Sequence, residues 1–141
     1  MKRLFLASAL VALAIPMLTV AQVPLPATPA GEATKAYLEA LNSGDRAKTA
    51  AFIKDRFPTS PIDADGTVGF ERQTGGFELV RIESQTPTAL TALVRERYGD
   101  TYARLQVETE ATPPNHIKAL GARVTPARPT CPPLPGSMTS P

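Results

Sequence analysis

The 141-residue chain contains a single cysteine, Cys131, and a single histidine, His116. One cysteine cannot form a disulfide bond within the chain, so we interpret Cys131 as an incidental free thiol rather than a nucleophile or a bridge between chains. One cysteine and one histidine cannot assemble a zinc site from their side chains. A histidine base also needs an orienting partner, and His116 follows Pro113 and Pro114 at the start of a predicted strand. We therefore interpret His116 as a surface or turn residue.

Sequence signatures of common catalytic and phosphate-binding sites are also missing. The chain has no G-x-S-x-G or S-x-x-K motif and no glycine loop that would cradle a phosphate. Asp63, Asp65 and Gly66 resemble the start of a calcium-binding loop, but the later ligand positions are not acidic in the required register. The sequence therefore predicts no catalytic residue, no metal ligand and no cofactor.

An excess of charge of one sign is lacking as well. The chain has 15 basic and 13 acidic residues, and two of the cations, Lys2 and Arg3, lie at its very start. Without these two cations the charges balance, and the remaining basic residues form no run. We therefore expect neither nucleic acid nor an anionic membrane surface as a partner.

A long apolar run occurs only near the N-terminus. Residues 4–20 carry no charge, follow Lys2 and Arg3, and lead to small residues at Thr19 and Ala21. This arrangement is typical of a secretory signal peptide cleaved after Ala21. The alternative is a retained membrane anchor, but the run contains Pro16 and is close to the shortest spans (~17–25 residues). We therefore predict that residues 1–21 are removed and that the protein is periplasmic or secreted, without a stable membrane anchor.

The chain after Ala21 has room for one domain. Residues 22–30 are rich in proline and are predicted to be a disordered leader, and residues 31–42 have helical spacing. Gly44 then suits a helix end, and Asp45 suits the N-cap of a second helix that continues to Arg56. That helix is expected to bury Ala47, Ala50, Ala51, Ile53 and Phe57. A short helical turn is predicted from Val68 to Thr74, followed by a glycine turn.

From residue 77 onward the pattern changes to alternation. Four strands are predicted over residues 77–85, 89–98, 101–109 and 116–125, with turn-length connections that favour an antiparallel meander. Arg95 is expected to lie opposite an acid such as Glu83 or Glu108. The sequence thus predicts an α+β domain over residues 31–126, with N-terminal helices packed on a curved four-stranded antiparallel meander. Residues 127–141 are predicted to be a proline-rich disordered tail or linker stub.

Two groups of residues resemble known families. Residues 37–45, YLEALNSGD, resemble the opening of cone-shaped domains of the nuclear transport factor 2 type, which include ketosteroid isomerases and polyketide cyclases. Residues 72–81, 93–97 and 113–117 are similar to an accessory domain fused to secreted bacterial serine hydrolases, of the β-lactamase/penicillin-binding or tail-specific peptidase type. The resemblance covers about residues 31–126. It implies an NTF2-like cone, a hydrolase domain as a partner, and homodimers formed through the sheets.

The isomerases of the family that these residues resemble use a carboxylate base facing a buried tyrosine or protonated acid. The candidates here are Glu78, Glu83, Glu108, Tyr37, Tyr98 and Tyr102. Strand alternation directs Glu108 and Tyr102 to solvent, and therefore argues against their forming a catalytic pair.

Two functions stay open. One is an exported non-catalytic accessory or binding module, a stand-alone or truncated front domain of a secreted serine hydrolase. It would use the mouth of the cone for a small apolar ligand or a face of the sheet for a protein partner. Its pocket residues are predicted to be Tyr37, Phe57 and Phe77. The other is a small isomerase- or cyclase-like enzyme with its site inside the cone. A buried acid opposite the helices would favour the enzyme, whereas an apolar interior would favour the module.

Overall fold

The computed structural model describes residues 23–126. Three helices precede a four-stranded antiparallel sheet in strand order β1-β2-β3-β4, which confirms the predicted α+β meander. The elements are α1 (Pro29–Asn42), α2 (Arg46–Arg56), α3 (Ala64–Thr74), β1 (Phe77–Gln85), β2 (Ala89–Glu96), β3 (Tyr102–Thr109) and β4 (Ile117–Thr125). Cys131, the tail after Pro126 and the predicted signal peptide lie outside the described residues.

The folded part begins earlier than the predicted leader allowed. The hydroxyl of Thr28 accepts a hydrogen bond from the backbone N–H of Gly31 at 3.1 Å, and Pro29 occupies the first turn, where its missing N–H costs little. Ala30 is completely buried and packs with Leu90 and Ala92, and Leu25 packs against the same cluster. Residues 29 and 30 therefore belong to α1 and not to the predicted leader, whereas the disorder predicted for the residues before them stays a prediction.

The turn between α1 and α2 has the predicted conformation. Gly44 adopts a left-handed backbone with φ of 58°, and the Asp45 carboxylate accepts hydrogen bonds from the N–H groups of Ala47 and Lys48 at 2.8 and 3.2 Å. These bonds satisfy two of the unpaired amides at the start of α2.

The predicted buried face of α2 is wrong for its three alanines, whereas Ile53 and Phe57 face inward as predicted. Ala47, Ala50 and Ala51 are exposed, whereas Thr49 is buried and the larger apolar side chains of the segment face inward. Alanine offers little area to remove from water, so the larger residues decide which side of this helix faces the core. These inward residues are Phe52, Ile53 and Phe57, of which Phe57 is fully within the core cluster.

Helix α3 is longer than the predicted helical turn. It begins at the N-cap Asp63, whose carboxylate accepts from the N–H of Gly66 at 2.8 Å, and ends at Gly75 with φ of 73°. Gly66 and Gly69 lower the helix propensity of the segment, and for this reason the full helix is not predicted from the sequence. Asp65 forms a bidentate ion pair with Arg46, with nitrogen–oxygen distances of 2.6 and 3.1 Å, and this pair lowers the pKa of the Asp65 carboxyl. The acids of the calcium-like segment therefore act as a helix cap and an ion-pair partner.

The core lies between α1 and one face of the sheet. Leu38 and Leu41 of α1 are buried against the alternating apolar residues of the central strands β2 and β3. This face, which we call the core face, carries Leu90, Ala92, Val94, Ala103, Leu105 and Val107. Period-two alternation, with one face buried and the other polar, fixes the register of these strands.

The opposite face of the sheet, here called the outer face, carries an ionic network. Glu83 is 3.0 Å from Arg81 and 2.7 Å from Arg104, and Leu93, between them in the sheet, is only 9% exposed. Arg95 pairs with Glu78 at 2.7 Å, and not with Glu83 or Glu108 as the sequence suggested. Two register shifts in β1 place Glu78 directly opposite Arg95, and such bulges cannot be located from alternation alone.

Candidate ligand pocket

A cavity of about 270 Å³ lies among the three helices and reaches β4. Helices α1, α2 and α3 and the loop between α2 and α3 supply most of its walls, and Leu120 is its contribution from the sheet. Its lining consists mainly of aliphatic and aromatic side chains, with hydroxyl groups from one tyrosine, two threonines and one serine. The volume is close to the lower end for pockets that bind small molecules (roughly 300–1,000 Å³).

Two of the three predicted pocket residues line this cavity. Tyr37 comes from α1, and Phe57 follows the end of α2. Phe77 does not line it and belongs to the core cluster, where it is 2% exposed. Phe77 instead contacts Phe70 edge-on, with ring centroids 5.3 Å apart, and Phe70 belongs to the cavity wall.

Tyr37 provides the cavity with a partly buried phenol. Its ring lies 6.0 Å from that of Phe52, centroid to centroid, at an angle of 49°. Burial raises the pKa of Tyr37 to about 12, because the phenolate would be poorly hydrated there. The hydroxyl therefore keeps its proton at physiological pH and can donate a hydrogen bond.

The other hydroxyls of the lining already donate to backbone carbonyls. Thr49 donates to the carbonyl of Asp45 at 2.9 Å, and Thr67 donates to that of Asp63 at 3.0 Å. Ser60 donates to the carbonyl of Ile62 at 2.6 Å. None of the hydrogen bonds between described residues uses the Tyr37 hydroxyl, so that group is the donor most available to a bound molecule.

Large apolar side chains line the cavity where it meets solvent. Ile62 is 55% exposed and Phe70 is 37% exposed, and both belong to the cavity wall. Exposed apolar surface that borders a concave site commonly marks a place where a ligand or partner binds. Sequence reasoning missed these two residues, together with Phe52 and Leu120, because they come from three elements whose relative placement depends on tertiary packing.

The carboxylates and tyrosines considered for catalysis lie elsewhere. Glu78 and Glu83 form ion pairs with arginines on the outer face, and Glu108 and Tyr102 occupy outer-face positions of β3. Tyr98 is 75% exposed beside Gly75.

His116 is partly exposed, with Nδ1 3.6 Å from Glu110 Oε2. Within residues 23–126, no three histidine, cysteine, aspartate or glutamate side chains come together in a way that could hold a metal ion. The structure therefore brings none of these candidate groups to the cavity except Tyr37.

Two of the segments that carry the resemblance, residues 37–45 and 72–81, meet at one junction. The side chain of Asn42 accepts from the N–H of Phe77 and donates to its carbonyl, both at 2.8 Å. The same amide lies directly against Gly76, whose φ of 80° suits glycine. The hydrogen bonds of Asn42 and its contact with Gly76 therefore connect the end of α1 to the start of β1.

Comparison with known proteins finds no matching family model, no matching curated sequence and no matching solved structure. Of the described helices, none combines the length and the hydropathy that crossing a bilayer requires.

Proposed function

We propose that this protein is an exported, non-catalytic binding module of the NTF2-like type, which holds a small, mainly apolar molecule between its helices and β4. The observation that supports this proposal most directly is the cavity of about 270 Å³, with its apolar walls and the partly buried phenol of Tyr37. The predicted signal peptide supports the exported location.

The composition of the cavity favours binding over acid–base chemistry. An isomerase of the resembling type needs a carboxylate directed at its substrate. The described carboxylates that the sequence offered for that role lie on the outer face, while the cavity lining supplies apolar side chains and hydroxyl groups. A binding module needs no more than this surface and one directional polar group.

The cavity also indicates the chemistry of its ligand. Aromatic walls formed by Tyr37, Phe52 and Phe70 suit a flat or aliphatic molecule. The Tyr37 hydroxyl, which is protonated and makes no hydrogen bond with a described residue, suits a hydrogen-bond acceptor such as a carbonyl or ether oxygen at one position of that molecule. A fully charged ligand is disfavoured because the lining offers no ionised group to compensate for its desolvation.

The likeness of residues 72–81 to accessory domains of secreted serine hydrolases supports a more specific role. We propose that the module works beside such a hydrolase, either in the same polypeptide or as a separate chain. In that arrangement, the cavity would present a ligand or respond to one, and the hydrolase would supply the chemistry.

Native mass spectrometry of the protein purified from the exported fraction tests the binding proposal. We expect a bound small molecule that survives gentle ionisation and dissociates on denaturation. An unoccupied protein mass would be followed by titration with N-phenyl-1-naphthylamine, an uncharged dye whose fluorescence rises in apolar cavities. Failure of both measurements to show binding would contradict the proposal, and turnover of a bound molecule would replace it with the isomerase-like alternative.

A cavity-filling substitution localises the binding. Thr67→Phe places a ring at the half-buried edge of the cavity, so we expect it to weaken dye binding at least about ten-fold (roughly 1.4 kcal/mol). Thr59→Phe is the matched control, because Thr59 is exposed and lies outside the lining. Equal effects of the two substitutions would show that the dye binds elsewhere.

A further inference from the structure

The two edges of the sheet differ in how well they are protected from pairing with another strand. Edge strands expose unpaired backbone groups, and proteins commonly protect them with bulges and charged residues. Strand β1 has both forms of protection, since two register shifts interrupt it and Glu78, Arg81 and Glu83 stand along it. Strand β4 pairs with β3 through seven consecutive residues from Ala119 to Thr125 without a shift.

The core face of the sheet continues onto β4 without being covered there. Val124 lies opposite Ala103, which is 3% exposed, yet Val124 itself is 72% exposed. Ala122 lies opposite the fully buried Leu105 and is also exposed. Leu120, at the cavity wall, is half-buried. The buried apolar face of β3 thus becomes a solvent-exposed apolar row on its neighbour.

We propose that a second copy of this chain covers this row by pairing β4 with β4 in an antiparallel arrangement, which extends the two sheets into one of eight strands. A twofold axis perpendicular to the sheet requires one residue of β4 to lie opposite its own copy. Centring the axis at Arg123 would place two like charges together, which is unfavourable. Centring it at Ala122 places Leu120 opposite Val124 of the other copy, so the apolar row becomes self-complementary.

Charged side chains on the outer face are compatible with this register. Arg123 lies opposite another cation, Arg104, and Glu108 lies opposite Ala119. None of the ion pairs between described residues includes Arg123 or Glu108. In the proposed dimer, Arg123 lies opposite Gly121 of the second copy, and Glu108 of that copy is two strand spacings across the sheet and two residues along it, roughly 12 Å away between Cα atoms. Gly121 has open space beside it, so the two long side chains can approach each other diagonally, once on each side of the axis.

The dimer would also complete the wall of the cavity. Val124 of the second copy would stand beside Leu120, which already forms part of that wall. A single strand pair makes a small interface, of the class below roughly 1,200 Å², so we expect reversible association that depends on protein concentration.

Sedimentation velocity over a range of protein concentrations tests the association, in reducing buffer so that Cys131 cannot link chains. We expect the native chain to shift from monomer to dimer, and Val124→Lys to raise the dissociation constant at least ten-fold. Val80→Lys is the matched control, because Val80 is an exposed valine on the other edge strand, β1. A native protein that remains monomeric at all concentrations, or a dimer equally sensitive to both substitutions, would overturn the proposal.

Cysteine cross-linking tests the register independently of any effect of Val124→Lys on folding. In a Cys131→Ser background, Ala122→Cys would place two thiols on opposing residues, whose Cα atoms lie about 4.5–5.5 Å apart, within disulfide range. Ala119→Cys is the control, since its two copies would be separated by six residues, roughly 20 Å. We expect rapid covalent dimers from Ala122→Cys alone. A dimer that neither cysteine cross-links would show that the copies associate through another surface, such as the outer faces of the sheets.

Discussion

The phenol of Tyr37 is the described group whose ionisation depends most on the folded state. Its pKa of about 12, against the ordinary value of 10, results from burial beside the cavity. At pH values between these two figures, the unfolded chain loses this proton while the folded chain keeps it. Ionisation then favours the unfolded state, so the stability that the neutral phenol contributes is present below pH 10 and is lost as the pH rises towards 12.

We therefore expect the free energy of unfolding to fall more steeply above pH 10 in the native protein than in Tyr37→Phe, by about 1.4 kcal/mol at pH 11. Urea denaturation at pH 8, 10 and 11 measures the difference. Tyr98→Phe is the control, since Tyr98 is 75% exposed and its removal should leave the alkaline loss unchanged. Parallel curves for the native protein and Tyr37→Phe would contradict the assigned burial of the phenol.

At the scale of elements, one amide side chain joins the first helix to the first strand. Asn42 ends α1 and makes both of its hydrogen bonds with the backbone of Phe77, in the manner of a neighbouring strand. Replacing it by alanine would leave a partly buried N–H and C=O without partners. Each such group costs about 1–3 kcal/mol, so we expect Asn42→Ala to destabilise the fold by roughly 2–4 kcal/mol.

Thermal or chemical denaturation measures this loss, with Gln73→Ala as the control because Gln73 is an exposed amide on α3. Asn42→Asp keeps the acceptor for the Phe77 N–H but removes the donor to its carbonyl, and should therefore also be destabilising. An Asn42→Ala protein as stable as the control would show that water or a shifted backbone replaces both bonds.

At the scale of the whole molecule, stability is expected to be uneven. Strands β2 and β3 are paired on both sides and covered by α1, whereas α2 packs mainly on the other helices and exposes its three alanines. Amide hydrogen exchange should therefore give protection factors at least about ten-fold higher in β2 and β3 than in α2 and α3. Occupation of the cavity by a ligand should reduce the difference in protection between the strands and the helices. Equal protection across all elements would contradict the expected uneven stability and indicate a single cooperative unit.

How far the fold follows from sequence depends on the range of the interactions concerned. The strands agree with their predicted bounds within two residues, because alternation and turn residues are local signals. The Asp45 cap is local in the same way. The orientation of α2 and the start of α3 were missed, because small alanines and internal glycines carry weak local information.

The cavity shows the same limit. Tyr37 was recognised as an aromatic residue on a helix face, whereas Leu120 reaches the same wall from the end of the domain. No spacing rule links two such distant positions, and only the packing of three helices on the sheet brings them together. The bulges in β1 also cannot be predicted from local spacing, and they determine which acidic residue lies opposite Arg95.

The contact between Asn42 and Gly76 has a consequence for how this sequence can diverge. Any side chain at position 76 would collide with the amide of Asn42, and the positive φ at that position adds a separate penalty for other residues. Mutation at either site alone should therefore be selected against, although 33 residues separate them in the chain. In diverging lineages, positions 42 and 76 are expected to change together or to remain as they are.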